Sequence, residues 1–119
     1  MLTAQIGALF TAALGVGGML FPAKVIRLIN LDFRPDRVEA KTEVRATLGG
    51  LFLCAGLFSF LVNSPEAYGT LGAAWIGAGL IRTLFMGPDH SVTRINIVSI
   101  LIEFLVGFLL IMPWVSQAL

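Results

Sequence analysis

The sequence predicts an all-α integral membrane protein, an antiparallel four-helix bundle with a short amphipathic cytoplasmic segment between helices one and two. Of its 119 residues, 57% are hydrophobic and only 13% are charged, whereas soluble domains average about 25% charged residues. Four apolar stretches are each long enough to cross about 30 Å of hydrocarbon at 1.5 Å per residue. Lipid favours helices for such stretches, because every backbone polar group must find a partner internally. The length suits one transmembrane domain over 1–119.

Residues that commonly end helices mark the boundaries of the four apolar stretches. The helices are expected at about 2–21, 43–62, 67–86 and 93–114. The residues expected to end them are Pro22, Asn63-Ser64-Pro65, Gly87-Pro88 and Pro113. Trp114, beside Pro113, suits an anchor at the membrane interface. The first stretch has no basic residue before it, so we interpret it as a retained spanning helix and not as a secretory signal.

The connection over residues 23–42 is too long for a tight turn. Pro22 can begin a helix, and apolar residues then alternate with polar ones through Asn30. This pattern predicts a short amphipathic helix on the cytoplasmic leaflet, and an ordinary solvated loop is the alternative. Pro35 is expected to begin a second helix that continues into the membrane.

The basic residues indicate the orientation of the helices. All eight lie in or beside the first and third connections: Lys24, Arg27, Arg34, Arg37, Lys41, Arg45, Arg82 and Arg94. The hairpin at 63–66 and both termini contain none. By the positive-inside rule, the basic connections face the cytoplasm and both termini face the opposite side. The net charge of +1 does not point to nucleic acid, and no such partner is expected.

Small residues predict which helix faces meet, since helices in lipid approach closely through them. Helix one carries such a face at Ala4, Gly7, Ala8, Thr11, Ala12, Gly15 and Gly18. Helix two carries two: Ala46, Gly50 and Cys54 continue from Glu43, and Gly49 and Gly56 continue from Arg45. Helix two is therefore expected to touch two neighbours. Cys54 is the only cysteine, which excludes a disulfide within the chain.

Glu103 is the only charged residue in the apolar run Ile95–Ile111. A carboxylate near the middle of a bilayer costs roughly 2.5 to 3.5 kcal/mol on insertion scales, so such residues usually mark a functional or pairing site. At about 100° per residue, Glu103 shares one arc of helix four with Asn96, Ser99 and Gly107. Glu103 is therefore expected to point towards protein or a cavity.

Four ionisable residues form the candidate binding or structural cluster: Glu43, Arg45, Arg82 and Glu103, with Asn96, Ser99 and Trp75 in support. Arg82 and Glu103 are expected about 7 Å and 13 Å into the membrane at 1.5 Å per residue, so they are the preferred pair. Glu43 and Arg45 lie two positions apart and point in different directions, so only one is expected to join that pair. Trp75 is a candidate to stack on Arg82.

Three interpretations of this cluster stay open. It can be a buried salt-bridge network that fixes helix register, or a pocket for a small molecule or lipid headgroup that opens to the cytoplasmic leaflet. It can also be a proton relay through Glu103, which a close arginine would oppose because it favours the charged carboxylate. No catalytic residue or metal ligand is assigned, and the sequence names no cofactor. The adjacent residues Asp89-His90-Ser91 do not form a triad by adjacency alone.

The segment Glu43-Val44-Arg45-Ala46-x-x-Gly49-Gly50 resembles a motif in a bacterial family of small four-helix membrane proteins of unknown function. The family motif reads Glu-Ile-Arg-Ala-x-x-Gly-Gly. The resemblance extends to Arg82, the Gly87-Pro88 turn and Glu103, and it covers nearly the whole chain. DoxX-like four-helix proteins are similar more distantly. The resemblance implies the fold and a polar cluster, and it brings no established activity.

We therefore expect an accessory or small-ligand- or lipid-binding protein of the inner membrane. Its partners would be the lipid bilayer, a small molecule or lipid headgroup, and a membrane protein or a second copy of the chain. The alternatives are a small proton-coupled transporter acting as an oligomer and a membrane enzyme on a lipidic substrate. Small multidrug resistance proteins have a similar length, but their essential glutamate lies in helix one, where this chain has no charge. The enzyme alternative lacks a nucleophile–base constellation, although a carboxylate–guanidinium pair can perform acid–base chemistry.

Overall fold

The computed structural model describes all 119 residues and contains helices and no strands. The five helices are α1 (Leu2–Leu20), α2 (Pro22–Leu28), α3 (Glu39–Val62), α4 (Pro65–Met86) and α5 (Arg94–Ala118). The helices α1, α3, α4 and α5, of 19, 24, 22 and 25 residues, are long and apolar enough to cross a membrane. The predicted all-α class with four helices of spanning length is confirmed.

Two prolines behave differently from the expectation. Pro35 does not begin a helix; it lies in a turn closed by the Arg37 amide, which donates to the Arg34 carbonyl at 3.0 Å, and α3 begins only at Glu39. Pro113 does not close the last helix; α5 continues through it to Ala118. A proline removes one backbone hydrogen bond, but α5 continues for five residues beyond Pro113.

Glycine and alanine bring the backbones of α1 and α3 into contact. A Cβ atom added at Gly56 would lie 2.6 Å from both the Ala8 carbonyl oxygen and the Ala12 nitrogen. A Cβ at Gly15 would lie 2.7 Å from the Gly49 carbonyl oxygen, so residue numbers fall along α3 as they rise along α1. All seven residues of the predicted small face of α1 are buried, which confirms that prediction.

The helices α4 and α5 form a second closely packed pair. A Cβ at Gly72 would lie 2.8 Å from the Ile111 nitrogen and 2.9 Å from the Gly107 carbonyl oxygen. The buried apolar core joins α1 to this pair through Ala4, Ala8, Tyr68, Leu71, Val106 and Leu110. These residues belong to the half of the molecule that contains the α3–α4 hairpin. The other half, where Arg82 and Glu103 lie, contains less of the core.

The helix α3 contains a π-helical segment at Arg45–Leu51. Its i→i+5 hydrogen bonds widen the turns and change the angular spacing of side chains. Gly49 is buried against α1, whereas Ala46 and Cys54 are exposed. The predicted face through Gly49 and Gly56 is confirmed, and α3 contacts both α1 and α4. The prediction that the face through Ala46, Gly50 and Cys54 makes the second contact is wrong within this single chain, since Ala46 and Cys54 are exposed.

Ser64 caps the start of α4. Its Oγ accepts a hydrogen bond from the Ala67 amide at 3.2 Å. We expect Ser64→Ala to lower the free energy of unfolding by about 1 kcal/mol, because one of the free amides at the helix start loses its partner. Thermal unfolding in detergent measures this, with Ser116→Ala, an exposed serine in the last turns of α5, as the control. Equal losses in the two variants would contradict the capping role.

Candidate functional site

Arg82 of α4 and Glu103 of α5 form an ion pair. The Nη2 and Nε atoms of Arg82 both donate to Oε1 of Glu103, at 2.6 Å and 2.9 Å. The Glu103 side chain is 8% exposed and that of Arg82 is 37% exposed. Gly79 allows this approach, because a Cβ there would lie 3.2 Å from the Phe104 ring. The two residues that the sequence analysis preferred as a pair are thus in direct contact.

The second carboxylate oxygen of Glu103 is different. Oε2 is buried and has no hydrogen-bond partner in the chain. A buried acceptor without a partner costs about 1 to 3 kcal/mol, and more when the group is charged. Arg82 therefore satisfies one oxygen of the carboxylate, and the other is left without a donor from the chain.

Asn96 orients the Arg82 guanidinium from its other side. Its Oδ1 accepts from Arg82 Nη1 at 2.9 Å, and its Nδ2 donates to the Ser91 carbonyl at 2.8 Å. Its backbone amide donates to Thr93 Oγ1 at 3.2 Å, which caps the start of α5. All three guanidinium nitrogens are hydrogen-bonded, so the position of the arginine head is fixed between α4 and α5.

Trp75 and Ser99 contribute in other ways than direct contact with the ion pair. The Trp75 Nε1 donates to Thr11 Oγ1 of α1 at 3.0 Å. Its ring packs edge-on against Phe52 at a centroid distance of 5.7 Å, and the expected stacking on Arg82 is not found. Ser99 Oγ donates to the Ile95 carbonyl one turn back at 2.8 Å. Both residues line the cavity described next.

A cavity of about 690 Å³ lies beside the ion pair, within the range of about 300 to 1,000 Å³ that is usual for ligand pockets. Ten of its fifteen lining residues are hydrophobic, and α1, α2 and α5 supply most of them. Its charged residues are Arg82, Glu103 and Arg94. A second cavity, of about 620 Å³, lies between α4 and the α4–α5 connection and is also lined by Arg82. Arg82 therefore contributes to two cavities.

The structure does not bring Glu43 or Arg45 to the Arg82–Glu103 pair. Arg45 Nη1 donates to the Met19 carbonyl at the end of α1, where a cation complements the partial negative charge of the last carbonyls. Glu43 is exposed on α3. The reason is helix packing, because α3 lies along α1 and not beside the polar face of α5.

Arg94 and α2 line the cavity beside the ion pair, although the sequence predicts no part in the site for either of them. The sequence uses Arg94 only to indicate orientation, and it predicts that the apolar face of α2 lies on the leaflet. The apolar residues Val25, Leu28 and Ile29 line the cavity. Their spacing is typical of a helix that covers a cavity, but it is equally typical of a helix on a membrane surface. Only the fold distinguishes the two.

Comparisons with family models, curated proteins and solved structures found no match to this chain. The resemblance to small four-helix bacterial proteins and to DoxX-like proteins stays a prediction. The structure has no group of three or more His, Cys, Asp or Glu side chains that could hold a metal ion. The geometry around Arg82 and Glu103 is therefore the main indication of function.

Proposed function

We propose that the chain is a multi-pass protein of the bacterial inner membrane that binds a small amphipathic or lipidic molecule in the cavity beside Arg82 and Glu103. In this proposal the four long helices form an antiparallel transmembrane bundle, both termini are periplasmic and α2 lies at the cytoplasmic leaflet. The lengths of the four helices and the position of all eight basic residues support that orientation.

The observation that carries the proposal is the combination of an apolar cavity with a charged wall. The apolar surface from α1, α2 and α5 suits a hydrocarbon or ring system, and Arg82, Arg94 and Glu103 suit a polar head. Ligand pockets commonly combine a mostly apolar lining with a few polar groups that fix orientation. An amphipathic molecule would satisfy both parts of this cavity at once.

The free oxygen of Glu103 favours binding over a purely structural salt bridge. A bridge that only fixed helix register would be most stable with both carboxylate oxygens hydrogen-bonded. Here Arg82 donates twice to Oε1 and leaves Oε2 without a partner. Glu103 lines the cavity, so a ligand with a hydroxyl or amine group that reaches this carboxylate would supply the missing donor.

Filling the cavity tests the proposal. Gly17 lines the cavity, and a Cβ there would meet only Val25 Cγ2, at 3.6 Å, so the Gly17→Leu side chain is expected to extend into the cavity. We expect the variant to fold and to lose about 90% of the bound molecule, the tenfold effect of losing about 1.4 kcal/mol of binding. Native mass spectrometry and lipid extraction of gently solubilised protein measure this loss.

Gly77→Leu is the matched control. Gly77 lines the second cavity, and no atom lies within 4 Å of an added Cβ. We expect Gly77→Leu to retain the bound molecule at the wild-type level. Wild-type protein that carries no small molecule after extraction in two different detergents would contradict the proposal, and so would equal retention in both leucine variants.

A further inference from the structure

A separate cleft at the end of α1 brings four basic side chains together. The cleft has a volume of about 260 Å³ and lies between the α1–α2 junction and the start of α3. Its basic residues are Lys24, Arg27, Lys41 and Arg45, and no carboxylate lines it. We refer to it as the basic cleft. It shares no lining residue with the cavity beside Glu103.

None of the four cations in the basic cleft forms an ion pair. The ion pairs of the structure are Arg34–Asp36, Arg37–Asp36 and Arg82–Glu103. The contacts of the basic cleft itself are neutral: Arg45 donates to a backbone carbonyl, and Lys24 Nζ lies 5.5 Å from the centroid of the Phe21 ring. Four like charges in one small space repel each other, and a bound anion would remove that repulsion.

We propose that the basic cleft binds a phosphate headgroup. Arginine presents a planar fork of donors that matches phosphate oxygens, and lysine adds a compact positive charge. The remaining walls are apolar, at Leu20, Phe21, Pro22 and Ala23, and these suit the glycerol and upper acyl region of a lipid. Basic pockets between helices on the cytoplasmic side are a known type of site for anionic lipid headgroups.

The neighbouring arginines show why position matters as well as charge. Arg34 and Arg37 belong to the same connection, and both lie within 4 Å of the Asp36 carboxylate: Arg34 Nη2 at 3.2 Å and Arg37 Nε at 3.8 Å. A general attraction between a basic loop and an anionic surface would depend on all of these residues alike. A defined phosphate site depends on the four residues of the basic cleft.

Two double variants that remove the same amount of charge separate these cases. Lys24→Gln/Arg27→Gln changes the basic cleft, and Arg34→Gln/Arg37→Gln changes only the neighbouring loop. Binding of dioleoyl phosphatidic acid to the full-length protein in detergent is measured by native mass spectrometry, with dioleoyl phosphatidylcholine for comparison. We expect the first pair to weaken phosphatidic acid binding about tenfold or more and the second to weaken it about threefold or less.

Two further measurements complete the test. Glycerol 3-phosphate distinguishes a lipid headgroup from a soluble phosphate, and the Arg27→Lys variant gives a result even if the double variant misfolds. Glycerol 3-phosphate binding with the same dependence on Lys24 and Arg27 would identify a soluble phosphate as the ligand, and its absence supports the lipid. Arg27→Lys keeps the positive charge but loses the planar fork of donors. We therefore expect a partial loss of phosphatidic acid binding. This result does not depend on the folding of the double variant. Equal losses in the two double variants, or unchanged binding in Arg27→Lys and Lys24→Gln/Arg27→Gln, would overturn the proposal.

Discussion

Gly49→Ala is expected to destabilise the protein by about 3 kcal/mol, since overpacking of a well-packed site costs typically 1 to 3 kcal/mol and occasionally more. A Cβ at Gly49 would lie 2.7 Å from the Met19 nitrogen and 2.9 Å from the Met19 Cα. Both atoms belong to the backbone of α1 and cannot move away as a flexible side chain would. To make room for the added Cβ, α1 and α3 must move apart, and this weakens the other close contacts between the two helices.

Gly50→Ala is an unusually close control for this effect. Gly50 is the next residue of the same π-helical segment, and a Cβ there would meet only the Arg45 carbonyl oxygen, at 3.9 Å. Alanine has the higher helix propensity by roughly 1 kcal/mol, so Gly50→Ala is expected to be neutral or slightly stabilising. The pair of variants therefore compares the same chemical change with and without contact to α1.

The free energy of unfolding of both variants is measured by titrating a denaturing detergent into protein held in a mild detergent. Tryptophan fluorescence follows the transition. Trp75 and Trp114 are the two tryptophans, and Trp75 reports on α1 through its hydrogen bond to Thr11. Equal stability of the Gly49→Ala and Gly50→Ala proteins would contradict the close approach of α1 and α3.

The sequence predicted the helices well for a physical reason. Helices of spanning length and small-residue faces follow from composition and from a period of 3.6 residues, and the seven buried residues of α1 obey both. The π-helical segment of α3 breaks that period. Counting at 100° per residue correctly predicted the face through Gly49 and Gly56, which is buried against α1, but it did not show that Ala46 and Cys54 are exposed. A proline alone also did not predict where a helix begins or ends. Pro35 lies in a turn before α3, and Pro113 lies inside α5.

The candidate site could be predicted where it depends on depth along a helix. Arg82 and Glu103 lie at compatible depths on helices joined by a short connection, and the structure places them in contact. The cavity depends instead on α2, which begins directly after α1 and lines the cavity together with residues of α1 and α5. No pattern in the sequence specifies that position, because an amphipathic helix has the same spacing wherever it lies.

The two halves of the molecule also differ in where the apolar core and the charged groups lie. Near the α3–α4 hairpin, Ala4, Ala8 and Tyr68 are fully buried in a core without charges. Toward the opposite end, the chain places a cavity, the Arg82–Glu103 pair and the basic cleft. The uncharged core therefore lies in one half and the charged sites lie in the other, whereas the close backbone contacts of α1 with α3 at Gly15, Gly18 and Gly49 extend into the half with the charged sites.

Arg82→Gln is expected to cost about 3 kcal/mol, more than Glu103→Gln, because removing one partner of a buried ion pair leaves the other charge uncompensated. The two sides of the pair are unequal in burial. Loss of Arg82 would leave the carboxylate of Glu103, which is 8% exposed, whereas loss of the Glu103 charge would leave a guanidinium that is 37% exposed. Asn96 would still accept from Arg82 in the second case. We expect Glu103→Gln to cost about 1 kcal/mol, as for one hydrogen bond.

The double variant Arg82→Gln/Glu103→Gln decides whether this asymmetry comes from the pair itself. It contains no buried charge at the site, so it is expected to be more stable than Arg82→Gln alone by about 1 to 2 kcal/mol. Relative to the sum of the two single losses, this is a coupling of about 2 to 3 kcal/mol, within the range for residues in direct contact. The same unfolding titration measures all three proteins, and losses that simply add would show that the pair is not coupled. A Glu103→Gln protein that remains folded but loses its bound molecule would also separate the binding role of the carboxylate from its role in stability, because glutamine keeps the shape of the side chain and removes the charge.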